Sequence, residues 1–237
     1  MNEKHMKAKK ILLGLFLLLA TTFAAQAQNF ETYTFTTFGR QPNLTIADGN
    51  SSGVSDLRSL SSAITAIGSL TVSLNISGEF NGDLYAYLRH GDSGFSILLN
   101  RPGRTADSPS GYGDSGLNIT LSDFATRDIH SYRAVVTPAA GSPLTGTWQP
   151  DGRNVDPSMV LDSTARTATL SSFDGLSASG DWTLFLADMQ SGGTSALESW
   201  SLEVFAVPVP EPYQYGLVVG AGLMGFVVWR RLARSPG

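Results

Sequence analysis

Along most of the chain, apolar and polar positions alternate one for one. Leu70 to Ile76 reads L-T-V-S-L-N-I, with Leu70, Val72, Leu74 and Ile76 on one face and Thr71, Ser73 and Asn75 on the other. A period of two marks a half-buried strand. The same habit predicts strands at Leu84–Leu88, Phe95–Leu99, Gly116–Leu121, Ala168–Leu170, Trp182–Leu186 and Trp200–Phe205. Turn formers separate them: Asn81-Gly82-Asp83, Asp92-Ser93-Gly94, Asp114-Ser115-Gly116 and Ser191-Gly192-Gly193. Nowhere between Gln28 and Pro212 does a 3.6-residue apolar period last three turns. Short alternating strands with Gly-, Ser- and Asn-rich turns predict an all-β fold, an antiparallel β-sandwich or jelly roll.

The two ends break the alternation. Lys4, Lys7, Lys9 and Lys10 precede the apolar run Ile11 to Ala20, and Ala25-Gln26-Ala27 supplies an A-x-A site. This order predicts a secretory signal peptide over 1–27, cleaved after Ala27. At the other end Val209-Pro210-Glu211-Pro212 is followed by an apolar run from Tyr213 to Trp229 and then by Arg230, Arg231 and Arg234. Those 17 residues span about 26 Å as a helix, against about 27–30 Å for a thin bilayer. A short transmembrane helix is expected there, with the arginines held on the cytoplasmic side and everything before it outside. The two prolines keep the preceding stretch extended.

Between these ends lies a lead-in at 28–45 and one expected domain at 46–207, long enough to bury a core unaided. All four lysines fall in the signal peptide, so Gln28 to Pro212 holds 9 arginines against 19 Asp and Glu, a net charge of −10. Such a balance argues against nucleic acid and anionic membranes as partners. No cysteine is present, which removes disulfides, thiol catalysis and cysteine metal sites.

In the strand phase Trp182, Leu184 and Leu186 share one side, as do Trp200, Leu202 and Val204, and both tryptophans are expected in the core. Trp148, in the loop-like Gly146-Thr147-Trp148-Gln149-Pro150-Asp151-Gly152, is the candidate for stacking on a sugar ring. Gly91-Asp92-Ser93-Gly94 and Gly113-Asp114-Ser115-Gly116 spell the string around a chymotrypsin-type nucleophile, but neither continues with Gly-Pro, and both read as ordinary turns. With His5 lost in the signal peptide, His90 and His130 remain; His90 precedes Ser93 too closely to serve as a separate base, which leaves His130 as the one distant imidazole. No catalytic residue is expected. Asp48, Asp83 and Asp188 fall at strand ends where loops could converge on a structural calcium, an ion needing 6–8 oxygens.

Two resemblances sharpen this reading. Val209 to Arg234, with its Pro-Glu-Pro, short span and Arg cluster in that order, resembles the PEP-CTERM sorting signal of Gram-negative bacteria that make exopolysaccharide. The resemblance implies processing near Pro210-Glu211-Pro212 by a membrane-embedded exosortase. It also implies transient anchoring in the inner membrane, with the ectodomain in the periplasm, and release to the cell surface or extracellular matrix.

The stretch Asn81-Gly82-Asp83-Leu84-Tyr85-Ala86-Tyr87-Leu88 resembles the "gDL-x-x-x-L" hairpin of the P domain (P/Homo B) of proprotein convertases. Gly180 to Asp188 resembles that domain's "G-x-W-x-L-x-v-x-D" strand, and Leu197 to Leu202 its "L-x-s-W-x-L". Ile46-Ala47-Asp48 is similar to its I-P-D entry, with alanine for proline. The P domain is a β-jelly roll that follows a subtilisin-like catalytic domain, some members binding calcium in loops. Only about 20 residues separate the expected cleavage site from Asp48, so no catalytic domain is expected there. The expectation is an exported, non-catalytic surface or exopolysaccharide-matrix protein. A lectin-like carbohydrate-binding module and an accessory domain for a separately encoded subtilisin-like serine protease are the alternatives.

Overall fold

The computed structural model describes residues 29–36, 44–208, 220, 222–227, 229 and 230. The expected signal peptide with Ala25 and Ala27, the block Val209, Pro210, Glu211 and Pro212, most of the apolar run, and Arg231 and Arg234 lie outside these residues. Gly220, 222–227, 229 and Arg230 are helical and Arg230 is exposed. Among the described residues no helix is long and apolar enough to cross a membrane. Residues 29–207 form a compact unit separate from this C-terminal segment.

In that unit the strands are β1 (Phe30–Thr36), β2 (Leu44–Ile46), β3 (Val54–Leu60), β4 (Ile67–Gly78), β5 (Leu84–His90), β6 (Gly94–Asn100), β7 (Leu117–Leu121), β8 (Leu144–Trp148), β9 (Gly180–Asp188) and β10 (Ser195–Ala206). Two sheets result. One runs β1-β10-β4-β7-β8, with β2 also paired to β10; the other runs β3-β9-β5-β6. The fold is all-β, as the alternation predicts. One pairing departs from the antiparallel expectation: β7 and β8 are parallel, so the six-stranded sheet is mixed.

The period of two decides what is inside. Val72, Leu74 and Ile76 on β4, Trp200, Leu202 and Val204 on β10, Trp182, Leu184 and Leu186 on β9, and Leu84, Ala86 and Leu88 on β5 are all buried. Ala168–Leu170, expected as a strand, is not one. The amides of Thr167 and Ala168 donate to the Gly152 carbonyl, the Ala168 carbonyl accepts from Ile97, and Leu170 opens a 3-10 turn to Phe173. Three alternating residues are too few to hold a ladder against those competing partners.

The sheets are joined by a polar contact as well as by apolar burial. Trp200 Nε1, on β10, donates to Asp56 Oδ2, on β3 of the other sheet, at 2.7 Å. Asp56 also accepts from Arg58 Nε at 2.9 Å. Replacing Trp200 by Phe deletes buried atoms and leaves the Asp56 carboxylate without its indole donor. The substitution is expected to destabilise the protein by about 2–4 kcal/mol, read as a lower denaturant midpoint with an unchanged slope.

Candidate functional site

Trp148 does not sit in a loop. It closes β8, is 1% exposed, and donates from Nε1 to the Thr145 carbonyl at 3.1 Å, with the Tyr132 ring 6.2 Å away. The reason is register: Leu121 pairs with Trp148 across the parallel contact, and both point inward. A buried indole offers a sugar no face. A cluster of half-buried aromatics lies elsewhere, on the outer face of the four-stranded sheet. There Tyr87 stacks on Phe185 at 4.7 Å and 13° and packs against Phe95 at 5.3 Å.

The first Gly-Asp-Ser-Gly string is a turn, as expected; the second, Gly113–Gly116, is irregular chain running into β7. Gly91–Ser93 joins β5 to β6, and Asp114 accepts from Tyr132 Oη at 2.6 Å and from Arg133 Nε at 2.7 Å. These donors, working against burial, hold the Asp114 carboxyl below its usual range. Burial first, and then the bond to Asp114, push the Tyr132 phenol up.

Both imidazoles are closed on two sides. His90 Nδ1 lies 3.0 Å from the Asp181 carbonyl and Nε2 2.7 Å from that of Ser177, while its ring stacks on Trp182 at 4.1 Å. His130 Nδ1 lies 2.8 Å from Asp151 Oδ2 and Nε2 3.0 Å from the Arg104 carbonyl. His130 and Asp151 are fully buried. A catalytic His-Asp pair needs its second nitrogen free for a hydroxyl, and here a backbone oxygen occupies that position. Both neighbours of His130 accept, so the doubly protonated ring satisfies them. Burial lowers its pKa, but the Asp151 hydrogen bond and charge, with the Arg104 carbonyl, outweigh burial and raise it. Asp151 in turn accepts from the Asn100 amide at 3.2 Å and Arg153 Nη1 at 3.3 Å. Nothing in the sequence marked this network, because its members lie on separate loops.

Asp48, Asp83 and Asp188 do converge. Leu84 pairs with Asp188 across β5 and β9, and the Met189 amide donates to the Asp83 carbonyl at 2.8 Å. Asp188 Oδ1 caps the amides of Gln190 (3.0 Å) and Gly49 (3.3 Å), and Asp48 Oδ1 caps that of Gly192 (2.8 Å). Asp83 is 5% exposed and Asp188 1%. Burial first, and then the charge of Asp188, push the Asp83 carboxyl up to about 6. Burial likewise raises Asp188 against its two backbone donors.

The cation among them is Arg101. Its Nη2 lies 3.4 Å from Asp83 Oδ1 and 2.7 Å from Gln190 Oε1, and its Nε donates to the Gly82 carbonyl at 3.1 Å. Arg101 (φ 50°) and Phe80 (φ 56°) are the only non-glycine residues at positive φ among those described, and they flank this cluster. Such backbone costs of order 1–3 kcal/mol. Here it turns the Arg101 guanidinium inward and sets the Asn81–Asp83 turn. The arrangement does not fit calcium as it stands, since Asp83 already pairs with the Arg101 guanidinium and the Asp48 and Asp188 oxygens cap backbone amides. Among the described residues no group of three or more His, Asp or Glu is placed to hold a metal. Burial also closes the Asp83–Asp188 pair to a glycoside, whose hydrolysis needs both carboxyls in an open cleft.

No family model matches the chain, and no curated protein matches it significantly. Solved structures that match include two of one serine protease. The crystal structure of the serine protease of Aeromonas sobria with its chaperone is 16% identical at a TM-score of 0.42, and covers 82% of this chain and 29% of that one. The structure of the protease alone is 15% identical at 0.41, with 81% and 29% covered. The chain thus spans less than a third of the length of these neighbours.

The buried groups give a pH dependence of definite sign. Asp83 and Asp188 keep protons that the unfolded chain gives up, so their contribution is whole below the ordinary carboxylate range. Asp83 loses its contribution as pH rises through about 6. His130 contributes fully below its ordinary 6.5 and loses that contribution as pH rises through its elevated folded value. Glu31 and Asp114, held low, act only on the acid side. The protein is therefore expected to unfold at a lower denaturant concentration at pH 8 than at pH 5, with Asp83→Asn flattening the difference. His130→Ala should cost about 2–4 kcal/mol at pH 6, by leaving a cavity and removing one of the donors of Asp151, which keeps Arg153 and the Asn100 amide. Thermal unfolding with EDTA against added calcium should give the same midpoint.

Proposed function

We propose that this is an exported, non-catalytic surface or exopolysaccharide-matrix protein. In this reading an exosortase-type enzyme processes it at Pro210-Glu211-Pro212, and the β-sandwich supplies adhesive or structural contacts. The observation that carries the non-catalytic part is the closure of both imidazoles: His90 faces two backbone carbonyls, and His130 faces one carbonyl and the buried Asp151. The ends of the sequence support the export part, through the order of Lys-rich, apolar and A-x-A segments in front and Pro-Glu-Pro, apolar run and arginines behind.

The second reading is an accessory or stabilising domain for a separately encoded subtilisin-like serine protease. It is favoured by where the segments resembling the P domain lie. Asn81–Leu88 enters β5, Gly180–Asp188 is β9, its neighbour, and Leu197–Leu202 lies in β10, so the resemblance runs through both sheets. The Aeromonas sobria structures concern a serine protease, once with a chaperone, and at their depth of likeness they leave that association to experiment.

Co-sedimentation of the purified protein with the host's own exopolysaccharide tests the first reading. Saturable binding by the folded form, absent after heat unfolding, is the expected result. No binding, together with a stable complex with a host protease that lengthens the enzyme's lifetime, would establish the second reading instead. In cells, Glu211→Ala is expected to leave the unprocessed form in the inner-membrane fraction, heavier than the processed form by the mass of the retained C-terminal segment.

A further inference from the structure

Strand register arranges the outward side chains of the six-stranded sheet in rows. One row runs Thr36, Ser199, Asn75, Asn118 and Thr145 across β1, β10, β4, β7 and β8. The next runs Thr34, Ser201, Ser73, Thr120 and Thr147 over the same strands. All ten are exposed or half-buried, and they alternate with the buried Val72, Leu74, Ile119 and Leu202. None of the ten is charged. Charge returns on this face at Glu203, between Thr32 and Thr71 in a third row, and at Glu198, to which Ser77 Oγ donates at 2.6 Å. Solvent-facing sheet positions ordinarily carry charges, which keep the surface soluble and unpaired. The segment from Gln28 to Pro212 has a net charge of −10, yet keeps these ten positions neutral.

We propose that this face binds a neutral polyhydroxylated polymer, a polysaccharide chain without carboxylate, sulfate or phosphate groups. The proposal rests on the matrix-binding reading and names the ligand class and the surface for it. Hydroxyls and amides each donate and accept, as sugar hydroxyls do, so either partner can adapt to the other. An anionic polymer would be repelled by the domain's overall charge, whereas a neutral one is not. Neighbouring positions in a row are about 4.8 Å apart and alternate residues along a strand about 6.7 Å. A chain lying across the strands therefore meets a partner at each of the five. One such bond in water contributes little, but linked contacts along one chain add through their shared tether. Neighbouring strands turn by about 20–25°, so the rows curve. A flexible chain can follow them; a flat rigid lattice such as ice cannot. The opposite outer face is the rival surface, and its central rings, Tyr87 and Phe185, are stacked on each other.

Affinity electrophoresis of the full chain in a non-glycosidic detergent tests this, through gels containing dextran or hydroxyethylcellulose, with alginate as the anionic comparison. The neutral gels should retard the protein and alginate should not. The row variants T34K/S73K/T147K and T34A/S73A/T147A should each bind at least tenfold more weakly while still unfolding cooperatively, with only the small midpoint loss that the Ser73–Thr120 bond implies. Y85A/Y87A, on the other sheet, should bind as before. Full binding by both row variants, or loss of binding in Y85A/Y87A alone, overturns the assignment to this face and leaves the matrix reading intact. Unretarded passage through both neutral gels overturns the neutral-polymer assignment, and sedimentation with the host polysaccharide then judges the broader reading by itself.

Discussion

Without a single cysteine, the domain depends on what its two sheets bury between them, and the Trp200–Asp56 hydrogen bond is where that burial is fixed in register. An apolar interface alone tolerates sliding, because the hydrophobic effect has no direction. A buried indole donor aimed from β10 at a carboxylate on β3 does not, since any slip would strand a polar group inside. The bond also explains a charge on an inward strand position. Asp56 is held by Trp200 and by Arg58, whose guanidinium in turn lies over the Phe35 ring. Phe35 packs on Trp200 at 4.5 Å, so the polar contact is ringed by aromatic groups at the edge where β1 lies against β10.

A second constraint comes from the long irregular segment between β8 and the turn at Leu170. It crosses the open edge of β6, and its carbonyls have few ladder partners. Arginine supplies them. Arg166 reaches the carbonyls of Asp151 and Pro150, Arg153 that of Asp162, and Arg104 those of Ser158 and Val160. A planar guanidinium with five fixed donors can serve several carbonyls at once, which the point charge of a lysine cannot. The arginine-only basic complement of this region follows from that demand. The His130–Asp151–Arg153–Asp128 network is the anchor of the same segment, and its burial turns a loop into part of the core.

Alternation made β4, β5, β7, β9 and β10 legible because each buries one face, whereas β6, buried on both, was marked by its continuous apolar run Ile97–Leu99. The sequence misled where local pattern competed with long-range bonding. Ala168–Leu170 alternates, yet its backbone serves Gly152 and Ile97. Trp148 sits among Gly, Pro and Asp and reads as loop, but the parallel contact with β7, invisible to periodicity, carries it inside. The convergence of Asp48, Asp83 and Asp188 was readable from their places at strand ends. Arg101 among them was not, since its inward turn depends on a left-handed backbone that no sequence rule assigns to arginine.

The acidity of the chain invites a search for cations, but the positions of its carboxylates give a different account. Asp123 caps the amides of Leu170 and Ser171, Asp156 that of Ser158, Asp128 that of His130, Asp48 that of Gly192, and Asp188 those of Gly49 and Gln190. Aspartate closes turns because its short side chain reaches backbone amides a few residues away or across a loop. A fold with this many tight connections and no disulfides uses many such caps. The net charge is then a consequence of how the loops are held, and it gathers at the loops and sheet ends. The strand faces can stay neutral for the same reason: solubility is already secured elsewhere, so the outward rows of the six-stranded sheet are free to present hydroxyls and amides alone.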